Sequence, residues 1–284
     1  MRLSVIMPAR KELFMQKTID AFLGSSELGY GVEILAVLDG PWMDEPTGDR
    51  RVKVIRLPEP LGMRGAINAG LAEASGDFVM KLDAHCAFDR GFDRKMVEVC
   101  AENWLVIPRR FSLDDISWTM SKRKPARDYH YLAFPMEKYG YSMTPQVWPK
   151  KFGPEIDDTM SFQGSCWLAN REYFMSHVGL LDDRKKTYGS FAAEQLEVGL
   201  KYWLGGGEVK VNKRTWYAHL WKMPRHYATG EFAKKSNFHR NWRWAARHWM
   251  KNGEPNMIHP FSWLVEKFSP VPTWPEDREQ WKPF

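Results

Sequence analysis

Cysteine is scarce in this 284-residue chain: Cys86, Cys100 and Cys166 are an odd number with no C-x-x-C pair. That excludes a disulfide framework and a cysteine-ligated zinc site, and fits a reducing cytoplasm. Long apolar runs are missing too. The opening MRLSVIMPARKE breaks at Pro8, and no later run approaches the ~18 apolar residues that cross a bilayer, so neither a signal peptide nor a membrane anchor is expected. Internal repeats and low-complexity segments are absent. What is present, 44% hydrophobic and 27% charged residues, can bury one large core or two smaller ones and excludes intrinsic disorder.

The net charge is +6, but acids nearly vanish from one segment. Between Lys210 and Lys251 eleven Lys or Arg stand against Glu231 alone, a local +10 that leaves the remainder mildly acidic. Trp216, Trp221, Trp242, Trp244 and Trp249 fall in the same stretch. Cations interleaved with aromatic planes suit an anionic partner. A solvated helical face above a few buried tryptophans is the plain alternative.

The first hundred residues alternate short apolar runs with helical periodicity. This predicts an α/β fold: a mainly parallel sheet with helices on both faces, here followed by a helical and extended C-terminal extension. Strands are expected at 3–7, 33–38, 52–57 and 77–82, and helices at 11–23 and 63–74. Further on, a strand at 164–169, helices at 171–177 and 192–204, and two strands at 208–212 and 214–218 are expected. Between Phe111 and Phe162 aromatics such as Tyr139 and Tyr141 mix with Pro and Gly, which reads as a long irregular region. Six prolines after Gly253 predict an extended tail over the surface. The domain boundary is placed between 1–222 and 223–284. In open α/β sheets ligands bind beyond the carboxyl ends of the strands, where Pro8, Arg10, Asp39 and Asp83 to His85 fall.

Asp83-Ala84-His85 is the sharpest local signal. Residues two apart in extended backbone share a face, so a carboxylate and an imidazole can meet one ion. Mixed oxygen and nitrogen donors suit Mn²⁺, with Mg²⁺ as the alternative. The plainer reading has Asp83 capping the next segment and His85 in an ordinary loop.

Leu82-Asp83-Ala84-His85-Cys86 resembles the metal-binding D-x-H element of polypeptide N-acetylgalactosaminyltransferases, a variant of the D-x-D element of family 2 glycosyltransferases with the GT-A fold. Leu3-Ser4-Val5-Ile6-Met7-Pro8-Ala9-Arg10 is similar to their nucleotide-binding first strand, and Leu38-Asp39-Gly40 to the acid that contacts the nucleoside. The stretch from Leu61-Gly62-Met63-Arg64 to Gly70, with Ala74-Ser75-Gly76-Asp77, resembles the helix preceding the metal motif. Gly189 to Glu197 looks like a loosened W-G-G-E-N-L-E motif, and Tyr217-Ala218-His219 like the late histidine that completes metal binding. The six elements occur in order over residues 3–222.

The resemblance implies a metal-dependent glycosyltransferase. It would move a sugar from a nucleotide-sugar donor, a UDP-sugar first, to a hydroxyl. Asp83, His85 and His219 would hold the ion, with Pro8, Arg10, Asp39, Arg64 and Asp83 around the donor. Asp39 also suits a plain Asp-Gly-Pro turn. Glu194, with Asp83, is the catalytic candidate, or else it stabilises a helix N-terminus. As a general base Glu194 implies inversion, whereas the N-acetylgalactosaminyltransferase likeness implies retention. Gln195, Phe191 and Ala192 depart from the motif, and both outcomes stay open. Gly164 and Trp167 fall at sugar- and acceptor-facing positions, Trp167 suiting the core equally.

No lectin domain or disulfide cysteines of secretory relatives are seen, which points to a cytoplasmic bacterial or phage enzyme. Pro8 to Glu12 is not the glycine-rich loop a sugar-nucleotide pyrophosphorylase needs. For the acceptor, the +10 segment is the guide: Arg240, Arg243 and Arg247 among tryptophans suit phosphates and bases, so DNA carrying hydroxymethylated pyrimidines is preferred. A protein or cell-surface polysaccharide hydroxyl is the alternative acceptor. A nucleic-acid-binding protein with a decayed transferase core is the alternative of another class, and retention of Asp83, His85, Glu194 and His219 argues against it.

Overall fold

The computed structural model describes residues 1–41, 45, 46, 48–135, 143–191, 193–221 and 235–282, without the side chains of 235–238. Tyr139, Tyr141, Ala192, Glu231 and the stretch 223–234 of the expected extension lie outside the described residues.

The chain opens with β1 (Leu3–Ala9), α1 (Met15–Ser25), β2 (Val32–Asp39), β3 (Val52–Leu57), α2 (Gly62–Glu73) and β4 (Phe78–Leu82). Next come β5 (Cys86–Phe88), α3 (Phe92–Val97), β6 (Trp104–Asp114), β7 (Thr119–Met120), β8 (His130–Leu132), β9 (Pro145–Val147) and β10 (Ile156–Asp158). The remainder is β11 (Cys166–Asn170), α4 (Arg171–His177), α5 (Glu194–Leu204), β12 (Glu208–His219), α6 (Lys235–Met250) and α7 (Phe261–Lys267). The main sheet runs β10-β12-β6-β11-β4-β1-β2-β3, with β5 on β12 and β7 on β6. β4, β1, β2 and β3 are mutually parallel, as are β6 and β12, while β11 lies antiparallel between the two groups.

Side-chain alternation along the buried strands assigns the two faces. Ile6, Leu35 and Val37 pack in a cluster with α2, α4, α5, α6 and α7. Leu3, Val5, Met7, Ile34 and Ala36 pack in a second cluster with α1 and α3. Helices therefore cover both faces, as the β-α-β pattern implies. Gly70 lets α2 lie directly on β1, since a Cβ there would strike the Ile6 side chain.

Four expectations need correction. β1 does not stop at Pro8: β4 pairs with it only as far as Ile6, so the proline has one neighbour to satisfy and the strand continues to Ala9. β6 was hidden by Pro108-Arg109-Arg110, yet β11 pairs with it only at Leu105 and Val106, and beyond them the proline and arginines are tolerated. The two expected strands at 208–218 are one strand, β12, whose register with β6 shifts between Asn212 and Trp216. The tail is not simply draped over the surface. Its prolines bracket α7, and Phe261, Leu264, Val265 and Trp274 are buried in the same cluster as α5 and α6.

Candidate active site

Asp83 follows directly on the last residue of β4, Leu82, and its amide donates to the Ser165 carbonyl at 2.9 Å. Antiparallel pairing of β5 with β12 then sets His219 opposite Cys86, one residue after His85. One ligand atom from each of Asp83, His85 and His219 lies within 4.8 Å of the others. His219 Nε2 is 3.1 Å and His85 Nε2 3.8 Å from Asp83 Oδ2. The other nitrogen of His85, Nδ1, faces Glu12 Oε2 at 3.1 Å, an arrangement that orients an imidazole for a metal through its free nitrogen. Burial raises the Asp83 pKa, but Lys81 and the His219 hydrogen bond overcome this and hold it well below the usual carboxylate range. Burial pushes His219 down to about 4 against the pull of Asp83, so its ring is neutral and able to ligate. One carboxylate and two imidazoles fit a divalent transition ion of the Mn²⁺ kind better than Mg²⁺, which favours all-oxygen surroundings.

Behind the triad lies a buried lysine that sequence reasoning passed over. Lys81 is 1% exposed; its Nζ lies 2.5 Å from Asp83 Oδ1, 2.5 Å from the Gly164 carbonyl and 3.9 Å from Glu194 Oε2. A lone cation in the apolar run Phe78-Val79-Met80-Lys81-Leu82 was the available signal. Glu194 opens α5 after Ala193 in the left-handed region at φ 53°. Its carboxylate is buried and accepts a 2.5 Å hydrogen bond from the Trp167 indole N–H. Burial raises the Glu194 pKa, opposed by Lys81 and this hydrogen bond. Gly164 leaves room for that carboxylate, because a Cβ there would collide with Glu194 Oε2.

Other expected site residues divide clearly. Pro8 is half-buried and Arg10 exposed at the carboxyl end of β1, beside the triad's edge of the sheet. Asp39 is buried at the end of β2 and accepts from the amides of Leu61, at 2.6 Å, and Gly62, at 3.1 and 3.0 Å, so it anchors the start of α2. Arg64, expected at the donor, is fully buried instead: it pairs with Glu197, donates to the Asp182 carbonyl at 2.8 Å and lies over the Tyr188 ring at 4.4 Å. Trp167, expected to face an acceptor, is 0% exposed and stacks on Phe174 with ring centroids 5.0 Å apart. Its polar atom is committed to Glu194.

Along α6, Arg240, Arg243 and Arg247 are exposed on one face, and Arg240 donates to the Lys185 carbonyl at 2.9 Å. Two of the three α6 tryptophans do not share that face, whereas the half-buried Trp244 lies at helical spacing from Arg240 and Arg247 and stacks on His248 with ring centroids 4.7 Å apart. Trp242 and Trp249 are buried, and Trp249 donates to the Tyr188 hydroxyl at 2.7 Å. Helical spacing sends the 242 and 249 positions to the core while 240, 243 and 247 point outward.

The family model described as glycosyl transferase family 2 matches residues 4–175. The chain belongs to glycosyl transferase family 2. Among curated members, N-acetylgalactosaminyltransferase 6 of Drosophila melanogaster is 26% identical over 221 residues, 77% of this chain and 32% of that protein. Polypeptide N-acetylgalactosaminyltransferase 3 of Mus musculus is 25% identical over 187 residues, 63% of this chain and 29% of its own. The chain thus spans about a third of the length of these curated relatives. Two solved structures share the GT-A architecture. GalNAc-T7 with UDP, GalNAc and Mn²⁺ superposes with a TM-score of 0.68 at 16% identity, over 88% of this chain and 49% of that one. S. aureus TarS 1-349 in complex with UDP-GlcNAc gives 0.57 at 13% identity, over 93% and 69%. Among the described residues of this family 2 chain, no helix is long and apolar enough to cross a membrane.

Proposed function

We propose that the protein transfers a sugar from a UDP-sugar to a hydroxyl of an anionic acceptor, using a divalent ion of the Mn²⁺ kind. The observation that carries this is the meeting of Asp83, His85 and His219 at the carboxyl end of the family 2 sheet. The relatives named as N-acetylgalactosaminyltransferases, and the fold neighbours solved with UDP or UDP-GlcNAc, support that donor class. When bound, the ion supplies positive charge to the diphosphate that leaves as the glycosidic bond breaks. Pro8 and Arg10 line the donor side, and Asp39 acts by fixing the start of α2. Glu194, with its carboxylate buried between Trp167 and Lys81, serves as a fixed negative charge beneath the transferring sugar. Turnover that survives Glu194→Gln assigns it to structure instead, and the anomer of the product separates inversion from retention.

Arg240, Arg243 and Arg247 support an anionic acceptor, with hydroxymethylated DNA as the first to try. Burial of Trp242 and Trp249 takes these two rings out of any base stacking, and the names of the polypeptide-modifying relatives favour a protein hydroxyl as the second reading. The experiment measures Mn²⁺-dependent transfer from a panel of UDP-sugars to DNA and to peptides across ionic strength. DNA transfer that falls steeply with salt, and less steeply when the three arginines are reversed to Glu, supports the first. Salt-independent transfer to a neutral peptide supports the second.

A further inference from the structure

One arginine beside the triad and a second bridged to it form no ion pair with a carboxylate among the described residues. Arg109 and Arg110 are neighbours on β6 and point to opposite faces. Arg109 is matched: its Nε and Nη2 each donate at 2.8 Å to the two oxygens of Asp128. Arg110 is only 5% exposed, its Nε is buried without a hydrogen-bond partner, and no carboxylate among the described residues pairs with it. Arg127 folds back against it. The Arg127 amide donates to the Arg110 carbonyl at 2.8 Å in an antiparallel bridge, and its half-buried guanidinium also has no acidic partner among the described residues. A buried cation without counter-charge is costly and is tolerated where an anion completes it.

The position says which anion. Arg110 lies in register with Tyr217 on β12, and Tyr217 and His219, two residues apart, share its face of the sheet. Asp83, His219 and the buried His130 all feel the charge of Arg110, and His130 feels that of Arg127 as well. Arg110 therefore borders the carboxylate and imidazole that would hold the ion, with Arg127 bridged to its far side. Planar guanidinium forks match the oxygens of a phosphate group two at a time.

We propose that Arg110 and Arg127 form a phosphate-binding subsite beside the ion site of Asp83, His85 and His219. The phosphate comes either from the donor's diphosphate or from an anionic acceptor, and only the first source rests on the UDP-sugar reading. The test titrates UDP, uridine and inorganic phosphate into the full chain with Mn²⁺, for wild type, Arg110→Met, Arg127→Met and the paired control Arg109→Met. UDP affinity lower by about 10-fold or more in both subsite variants, with uridine and the control unchanged, supports the subsite and assigns it to the donor. Unchanged UDP affinity with loss of inorganic phosphate binding supports it and assigns it to the acceptor. UDP and phosphate binding equal to wild type overturns the inference. If Arg110→Met does not fold, Arg127→Met alone decides, because its side chain is half-exposed. A wild type that binds no UDP contradicts the donor reading and leaves the phosphate titration to judge the subsite.

Discussion

Lys81 joins the metal-binding end of the site to its carboxylate floor, with its Nζ 2.5 Å from Asp83 Oδ1 and 3.9 Å from Glu194 Oε2. Taking Oδ1, it leaves Oδ2 to face the two histidines. Lys81→Met keeps the stem and removes the charge, stranding two carboxylates. Denaturant unfolding should show a loss of about 3 kcal/mol. A variant as stable as wild type shows that the ammonium is not what balances this site.

Trp167 tests whether Glu194 must be held in place. Trp167→Phe keeps an aromatic ring against Phe174 but removes the indole N–H, leaving one Glu194 oxygen unsatisfied at a cost of about 1–3 kcal/mol. Glu194→Gln keeps an oxygen for that N–H and should remain folded while transfer falls at least ~100-fold, the scale of losing one fixed electrostatic group. Thermal melting and turnover of both variants check the pair.

Arg64 and Glu197 form an ion pair with 0% and 1% side-chain exposure. Removing one partner strands a buried charge, so Arg64→Met or Glu197→Leu alone should destabilise by about 3–5 kcal/mol, whereas the double variant should recover most of it. Donor binding by a folded double variant should match wild type. A selective loss of UDP affinity would return Arg64 to the donor site.

His130 gives the fold an acid sensitivity of known sign. Burial, and then Arg110 and Arg127, push it down to about 3, so it is neutral when folded and titrates normally when unfolded. Between the ordinary histidine range and about 3 the unfolded state binds the extra proton, and stability falls as pH falls. His130→Gln lacks that proton uptake. Unfolding of both proteins between pH 7 and 5 should show the wild type losing more, with a slope difference of about one proton at most. Parallel curves would contradict the burial of a neutral ring.

Much of this is legible in the sequence. The apolar runs of β1, β2 and β4 give their strands, because strands buried on both faces are written as near-continuous Val, Ile, Leu and Met, while the edge strand β3 is legible in the alternation of apolar and basic residues from Val52 to Leu57. Asp83 and His85 were visible as an alternation at a strand end, and His219 through family resemblance. Lys81 and Trp167 were not given their roles, since burial against Glu194 depends on β11 lying antiparallel beside β4, a pairing local pattern does not encode. The tryptophans of α6 misled for a related reason. Interleaved cations and rings read alike on an exposed helix and on one whose Trp242 and Trp249 are packed on α5 and Tyr188.

If the proposed function holds, Asp83 and His219 hold an ion on which sugar transfer depends. The most direct measurement is the rate of sugar release or transfer from a UDP-sugar, with Mn²⁺ and with chelator, for wild type, Asp83→Ala and His219→Ala, alongside Mn²⁺ affinity. Chelator should abolish wild-type turnover, and each variant should bind the ion more weakly and be slower by at least ~100-fold. Full turnover in chelator, or wild-type rates in folded variants, would contradict the proposed function.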